Sequence, residues 1–305
     1  MTIPDLFAAL PVLPTTVVGS FPVDTGRGLP GLLFPLRHAV QKAVESQVRA
    51  GIDIISDGQV RGDMIRAFSS RLPGIRGQDV VSTVLPASGS ITVADTRYAL
   101  SRHRFVKGIL TGPTTLSFGL HIATPVYRDR ADLAMDLARA LAAEAKALES
   151  AGVCMLQVDE PVLSTGAADV AGAERALKVL LEGIHVPVCL HVCGDLSSVI
   201  DRLLAFPVDV LDIECAKTPQ NLELVSERDL REKRIAVGCV DSGTPRVEDE
   251  DEIARRVRDA VDRLGAGRLL VDPDCGLRML PFDSATGKLS RMVSAVRKVR
   301  EELAG

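Results

Sequence analysis

Alternation between short apolar runs and helix-like stretches is the feature that most constrains the fold of this 305-residue chain. Most of the apolar runs are continuous and do not alternate with polar residues. A continuous run of this kind is typical of a parallel strand buried on both faces of a sheet. We place eight predicted strands at residues 15–21, 52–57, 104–110, 153–158, 186–192, 208–215, 234–240 and 268–271.

The segments between the strands have the 3.6-residue period of amphipathic helices. One such helix begins in the acidic run 248–252, ends before Gly265, and has Ile253, Val257, Val261 and Leu264 on one face. Acidic residues at its start and glycine after its end both favour this placement. A strand–helix unit repeated eight times predicts an α/β fold, a (β/α)8 TIM barrel with residues 1–305 as a single domain.

Residues 78–100, between the second and third predicted strands, do not fit the repeat. They contain two strand-like runs, at 82–85 and 90–93, separated by Pro86 and Gly89. This pattern predicts a β-hairpin insertion after strand two. The insertion either overhangs the mouth of the barrel or is a surface excursion without a role.

Composition narrows the function classes. The chain is 46% hydrophobic and 25% charged, with a net charge of -4. This balance is typical of a soluble globular protein, and it offers no basic excess for nucleic acid. The sequence contains no apolar run long enough to predict a membrane span. Its N-terminal residues lack the pattern of a signal peptide. We therefore expect a cytoplasmic protein with no membrane partner, in which the six cysteines are not disulfide-bonded.

All eight predicted strands end in polar residues at their C-terminal ends, where barrel enzymes place their chemistry. His191 and Cys193 are two residues apart on one strand, so both side chains point to the same face. Glu214 and Cys275 occupy matching positions at the ends of later strands. One imidazole, two thiolates and a carboxylate suit Zn²⁺. We therefore predict that these four residues bind zinc and that the other four cysteines are structural.

Several motifs resemble, in order along the chain, the catalytic C-terminal barrel of cobalamin-independent methionine synthase. They are Val-Gly-Ser-Phe-Pro at 18–22, Thr-Gly-Pro at 111–113, Val-Asp-Glu-Pro at 158–161, His-Val-Cys at 191–193, Ile-Glu at 213–214 and Pro-Asp-Cys-Gly at 273–276. The resemblance implies the same four zinc ligands. It also implies that homocysteine binds to Val18, Gly19 and Ser20, with its ammonium group on Asp159. Gln59 stands where the family has a glutamate, and its amide can still hydrogen-bond the substrate.

Departures from the family bear on the methyl donor. This chain has no counterpart of the family's N-terminal barrel, has Gly243 where the family has a proton-delivering histidine, and contains no tryptophan to stack on a pterin. A positioned acid accelerates a reaction by about 10²–10⁴-fold. Methyl transfer from methylcobalamin needs no such acid, because cob(I)alamin leaves without a proton. The chain thus resembles the short, single-barrel "core" methionine synthases, for which a methylcorrinoid donor is implied.

The expected function is a zinc-dependent homocysteine S-methyltransferase that makes methionine. In this mechanism the substrate sulfur displaces Glu214 or adds as a further ligand, while Asp159 orients the amino acid. The corrinoid is free or carried by a partner protein, because the chain lacks an Asp-x-His-x-x-Gly corrinoid motif. Arginines at 61, 66, 71 and 76 either contact such a donor or form an ordinary solvated face.

Three alternatives remain open. In the first, the reaction is the same but the methyl donor is 5-methyltetrahydrofolate. In the second, the methyl group goes to a thiol other than homocysteine. In the third, the protein is a non-catalytic zinc subunit or sensor. The Cys-Cys pair of the betaine-type homocysteine enzymes is absent from the sequence, which counts against that family.

Overall fold

The computed structural model describes residues 2–26 and 32–305. The strands of this part of the chain are β1 (Ile75–Arg76), β2 (Asp79–Val80), β3 (Lys107–Thr111), β4 (His121–Ile122), β5 (Met155–Asp159), β6 (Val188–Val192), β7 (Val210–Glu214), β8 (Arg234–Val240) and β9 (Leu269–Pro273). All neighbours in the main sheet are parallel, in the order β3-β5-β6-β7-β8-β9. The predicted α/β class with a parallel sheet is confirmed.

Helices alternate with the strands of the main sheet. They are α1 (Ile3–Ala8), α2 (Pro35–Ala50), α3 (Arg66–Ser69), α4 (Val93–Arg102), α5 (Pro113–Gly119), α6 (Arg130–Ala151), α7 (Val170–Leu180), α8 (Ile200–Leu203), α9 (Gln220–Ser226), α10 (Glu250–Leu264) and α11 (Phe282–Ala304), with 3₁₀ turns at Pro161–Thr165 and Ala266–Arg268. Helix α10 begins in the acidic run and ends at Gly265, as predicted, and it buries Ile253 and Val257. In α11, Met292, Val296 and Val299 are buried, whereas Leu303 is exposed.

The first two predicted strands are reduced to isolated bridges. Thr15 is bridged in parallel to Val271 of β9, and Ile55 to Val106, just before β3. Between them, the Ile54 amide donates to the Thr15 carbonyl at 3.0 Å. Backbone hydrogen bonds therefore lead from one edge of the six-stranded sheet to the other. Beside this bond the Asp53 carboxylate accepts the Thr15 amide at 2.8 Å, so this amide does not pair with the backbone of the second predicted strand.

The insertion contains a hairpin, but at a different place from the prediction. Strands β1 and β2 pair antiparallel, and β2 pairs in parallel with β4. The predicted strands at 82–85 and 90–93 are wrong, because those residues form no strand and Val93 begins α4. Instead, the Glu144 carboxylate on α6 accepts the amides of Ile91 and Thr92, both at 2.7 Å. A buried side chain thus replaces a strand partner.

The main sheet is buried on both faces. Every residue of β3, β5, β6, β7 and β9 is buried. The helices cover one face of the sheet, and the other face is turned toward the interior of the protein. That interior is partly polar, and the Lys107 ammonium donates to the side-chain amide oxygen (Oε1) of Gln157 at 2.5 Å. No helix in the described ranges is long and apolar enough to cross a membrane.

Candidate metal centre

Three of the four predicted zinc ligands meet at the C-terminal edge of the main sheet. His191 lies near the end of β6, Cys193 follows that strand, and Cys275 follows β9. One ring nitrogen of His191 and the two Sγ atoms lie within 4.8 Å of one another. His191 is only 2% exposed, and among residues 2–26 and 32–305 neither ring nitrogen has an aligned hydrogen-bond partner. A buried, unsatisfied imidazole beside two thiols fits a zinc ion.

The two thiols act on each other. A hydrogen bond with Cys275 holds the pKa of Cys193 below its ordinary value. The same contact, together with burial, raises the pKa of Cys275. Without a cation, the pair therefore favours one thiolate over two. A bound divalent cation would favour the thiolate form of both, since the thiolate is the metal-binding form.

Glu214, the fourth predicted ligand, lies at the end of β7 but outside this cluster. Its carboxylate accepts the Thr218 hydroxyl at 2.5 Å and the Gly194 amide at 3.2 Å. These contacts keep the buried carboxylate satisfied without a metal. The role of Glu214 as a ligand stays a prediction.

Asp212, for which no role was predicted, lies beside His191. Its Oδ1 is 3.1 Å from His191 Nδ1, and its side chain is fully buried. Burial and the negative charge of Asp212 together raise the pKa of Asp272, which is also fully buried. A signal for Asp212 was available, because residues two apart on a strand face the same side and Asp212 shares its face with Glu214.

A cavity of about 240 Å³ opens over the cluster. Its walls include four of the predicted substrate-binding residues, namely Val18, Ser20, Gln59 and Asp159. Asp159 is 6% exposed, and its carboxylate accepts a hydrogen bond from the side-chain amide of Gln157 at 2.7 Å. Burial raises the pKa of Asp159 to about 6. The predicted substrate contacts therefore adjoin the predicted metal ligands.

Two glycines allow close approach at this cavity. Gly19 has a φ of +147°, and a Cβ at this position would overlap the Ile109 side chain. A Cβ at Gly276 would overlap the Ser20 hydroxyl. The Leu277 amide also donates to the Ser20 carbonyl at 2.8 Å. These contacts bring the segment that carries Cys275 against residues 18–20.

The cavity also has walls that the sequence did not predict. Met64, Arg278 and Met279 line it, and the Arg278 guanidinium donates to the Gln59 carbonyl at 3.0 Å. Nothing in the sequence distinguishes these residues from ordinary loop residues. The fold and the site together define an α/β protein with a His-Cys-Cys cluster that could hold a metal ion beneath a substrate-sized cavity, at the edge of the sheet where such proteins carry out catalysis.

Comparison with known protein families agrees with this class. The family model described as "Cobalamin-independent synthase, Catalytic domain" matches residues 33–298. The chain belongs to the cobalamin-independent methionine synthase family, through its catalytic domain. The resemblance found in the sequence is confirmed, and with it the predicted methyltransferase class.

Individual relatives include short and long proteins. A methionine synthase of Methanothermobacter thermautotrophicus is 44% identical over 92% of this chain and 98% of its own length. A 5-methyltetrahydropteroyltriglutamate–homocysteine methyltransferase of Burkholderia mallei is 32% identical over 96% of this chain, but over only 44% of its own length. The solved structure of a B12-independent methionine synthase from Shewanella, in complex with selenomethionine, has a TM-score of 0.86 and 26% identity over 96% of this chain and 99% of its own.

Proposed function

We propose that this protein is a zinc-dependent homocysteine S-methyltransferase that makes methionine. The observation that carries the proposal is the His191–Cys193–Cys275 cluster at the floor of a cavity whose wall includes the Asp159 carboxylate. A thiol-binding metal centre and an ammonium-binding carboxylate in one small cavity match the two ends of homocysteine. The names of the relatives support the same reaction.

His191, Cys193 and Cys275 would hold the zinc ion, with Glu214 as the fourth ligand. The bound ion would keep the homocysteine thiol as a thiolate, and the negative charge of the protein ligands would leave that sulfur nucleophilic. The Glu214 carboxylate binds zinc less strongly than a thiolate and already has the Thr218 hydroxyl as an alternative partner. Glu214 is therefore the ligand most easily displaced.

The amino acid part of the substrate is oriented by the opposite wall. Asp159 accepts the ammonium group, and Val18, Gly19 and Ser20 offer backbone groups and a hydroxyl to the carboxylate. Gln59 contributes a neutral amide beside them. Fixing the amino acid in this way lowers the entropy cost of bringing the sulfur to the methyl group.

We propose a methylcorrinoid, free or carried by a partner protein, as the methyl donor. The sulfur–carbon bond forms as the cobalt–carbon bond breaks, both electrons of that bond stay on cobalt, and the thiol proton is released. No acid is needed, which agrees with the turn after β8, where Gly243 offers only a backbone amide that donates to Asp241 at 2.7 Å. The alternative donor is 5-methyltetrahydrofolate, favoured by the name of the Burkholderia relative.

The same proposal includes the architecture. The bridges at Thr15 and Ile55, with the hydrogen bond between Ile54 and Thr15, support a closed (β/α)8 barrel formed as one domain. A closed barrel would fix all the strand ends that carry the site relative to one another.

The test is methionine formation by the zinc-loaded protein from homocysteine, with methylcobalamin and 5-methyltetrahydrofolate as separate donors. Methionine from methylcobalamin alone supports the full proposal. Methionine from the folate alone replaces the donor but keeps the reaction. Methionine from neither donor contradicts the proposal. The Cys275→Ala variant is the matched control, and we expect it to lose tight zinc binding and activity together.

A further inference from the structure

A second cavity, of about 450 Å³, adjoins the one above the metal cluster. Gln59 and Ala67 line both cavities, so these two side chains mark the boundary between them. One wall of the second cavity is the segment 57–61, which follows the second predicted strand. Another wall is the segment 90–95 of the insertion. The insertion therefore builds a compartment beside the substrate site.

The insertion wall is fixed in place by buried and paired charges. Glu144 is 4% exposed and accepts the amides of Ile91 and Thr92 as well as the Thr92 hydroxyl, the last at 2.8 Å. The Arg61 guanidinium pairs with the Asp95 carboxylate, with one of the two contacts at 2.8 Å. This ion pair joins the two walls. The compartment is therefore preformed, as ligand cavities usually are.

Asp57 is a buried acid in the wall of this compartment. It is 7% exposed, and in the described ranges its side chain receives one hydrogen bond, from the Gln59 amide at 2.9 Å. Arg61 attracts the carboxylate but is itself paired with Asp95. A buried carboxylate without a close cation costs free energy unless further donors reach it. A ligand with an N–H group would supply such a donor.

We propose that this second cavity binds an N–H-bearing edge of the methyl donor, with Asp57 as the hydrogen-bond acceptor. The inference rests on the proposed function, because the boundary at Gln59 and Ala67 places the cavity beside the homocysteine site. Primary amides on the rim of a corrinoid and the aminopyrimidinone edge of a pterin offer the same chemistry to a carboxylate. A cavity of this size holds a whole pterin but only a peripheral arm of a corrinoid.

Two variants test the cavity in different ways. Asp57→Asn keeps the shape but removes the charged acceptor, and Ala94→Leu, on the insertion wall, fills part of the space. We expect each to raise the KM of the methyl donor and to leave the KM of homocysteine unchanged. For Asp57→Asn the rise should be about tenfold or more, the effect of losing a charged hydrogen bond. Asp79→Asn is the matched control, because Asp79 lies in the insertion outside both cavities and should leave both constants unchanged.

Binding measured without turnover separates this inference from the proposed reaction. The probes are hydroxocobalamin and tetrahydrofolate, titrated into the zinc-loaded wild type and the Asp57→Asn and Ala94→Leu variants. Binding of one probe that both variants weaken supports the cavity and identifies the donor class, even if no methionine forms. The inference is overturned by equal binding of the probe to all three proteins, by no binding of either probe, or by an unchanged donor KM. None of these outcomes decides the zinc-dependent reaction, which has its own test.

Discussion

His191 stands between two different kinds of neighbour, the thiols of Cys193 and Cys275 on one side and the carboxylate of Asp212 on another. A carboxylate next to a metal-binding imidazole fixes the orientation of the ring and raises its basicity. Asp212 is therefore a positioning residue for the metal centre, although it is not itself a predicted ligand.

We expect Asp212→Asn to weaken zinc binding by about 10–100-fold, the usual effect of losing such a partner. Competition with a chromophoric chelator measures the affinity, and the visible spectrum of the cobalt-substituted protein reports the ligand geometry. Asp251→Asn, on the exposed start of α10, serves as the control. Wild-type affinity together with an unchanged cobalt spectrum would show that Asp212 only fills space.

Asp159 gives a second prediction at this scale. Asp159→Asn removes the charge that we assign to the homocysteine ammonium, so the KM of homocysteine should rise about tenfold or more, as for other charged hydrogen bonds. The donor KM should stay the same. Initial-rate kinetics with each substrate varied separately gives both constants, and an unchanged homocysteine KM removes Asp159 from the binding site.

Residues differ in how far their roles could be predicted from the sequence. His191 and Cys193 were predictable because their spacing of two fixes a shared face, and Cys275 because it ends a matching strand. Asp57 was not assigned a role, because its importance depends on burial and on what packs beside it. Those properties arise from tertiary contacts between distant segments, which single-strand patterns do not contain.

Among the helices, α5 shows how a buried acid couples an element to pH. Glu160 accepts the amides of Thr114 and Thr115, at 2.9 and 2.6 Å, near the N-terminus of this helix. Burial raises the pKa of Glu160 from 4.5 to about 7. An acid whose folded-state pKa is raised contributes stability that is fully present below its unfolded pKa and is lost as pH rises through the folded pKa.

We therefore expect the free energy of unfolding to fall as pH rises from about 4.5 to about 7, in part because of Glu160. In Glu160→Gln this part of the pH dependence should disappear. Urea denaturation at several pH values across that window measures the effect, with Glu174→Gln, at a partly exposed position on α7, as the control. An equal slope in Glu160→Gln and wild type would show that Glu160 does not titrate in this range.

Strands differ in how well their patterns predict them. The six strands of the main sheet lie within about three residues of the predicted positions, because burial on both faces demands continuous apolar runs. The first two predicted strands form only isolated bridges, and the Asp53 carboxylate takes the Thr15 amide that a ladder between these two segments would use. The hairpin was misplaced because Glu144, more than 50 residues away in sequence, takes the donors of residues 91–92.

For the whole molecule, zinc should matter for chemistry more than for folding. The ligand-bearing strands β6 and β9 are tied into one continuous parallel ladder through β7 and β8. This ladder does not depend on the metal. The site therefore differs from a small zinc domain, in which binding energy is folding energy.

We expect the chelated protein to keep its far-UV circular dichroism and a cooperative thermal transition. Its loss of stability should equal the linkage term for zinc, about 2.7 kcal/mol at a free zinc concentration 100 times the dissociation constant. Differential scanning calorimetry with and without chelator provides the comparison. Unfolding on chelation would indicate a structural zinc site, as expected for the non-catalytic alternative.

The close approach of Gly276 to Ser20 has a consequence for the nascent chain. Cys275 follows Cys193 by 82 residues (275 minus 193), and translation at about 5–20 residues per second separates their syntheses by roughly 4–16 seconds. During that interval the emerging polypeptide offers His191 and Cys193 without the third donor. Metal binding by all three residues would therefore wait for the arrival of β9 beside residues 18–20.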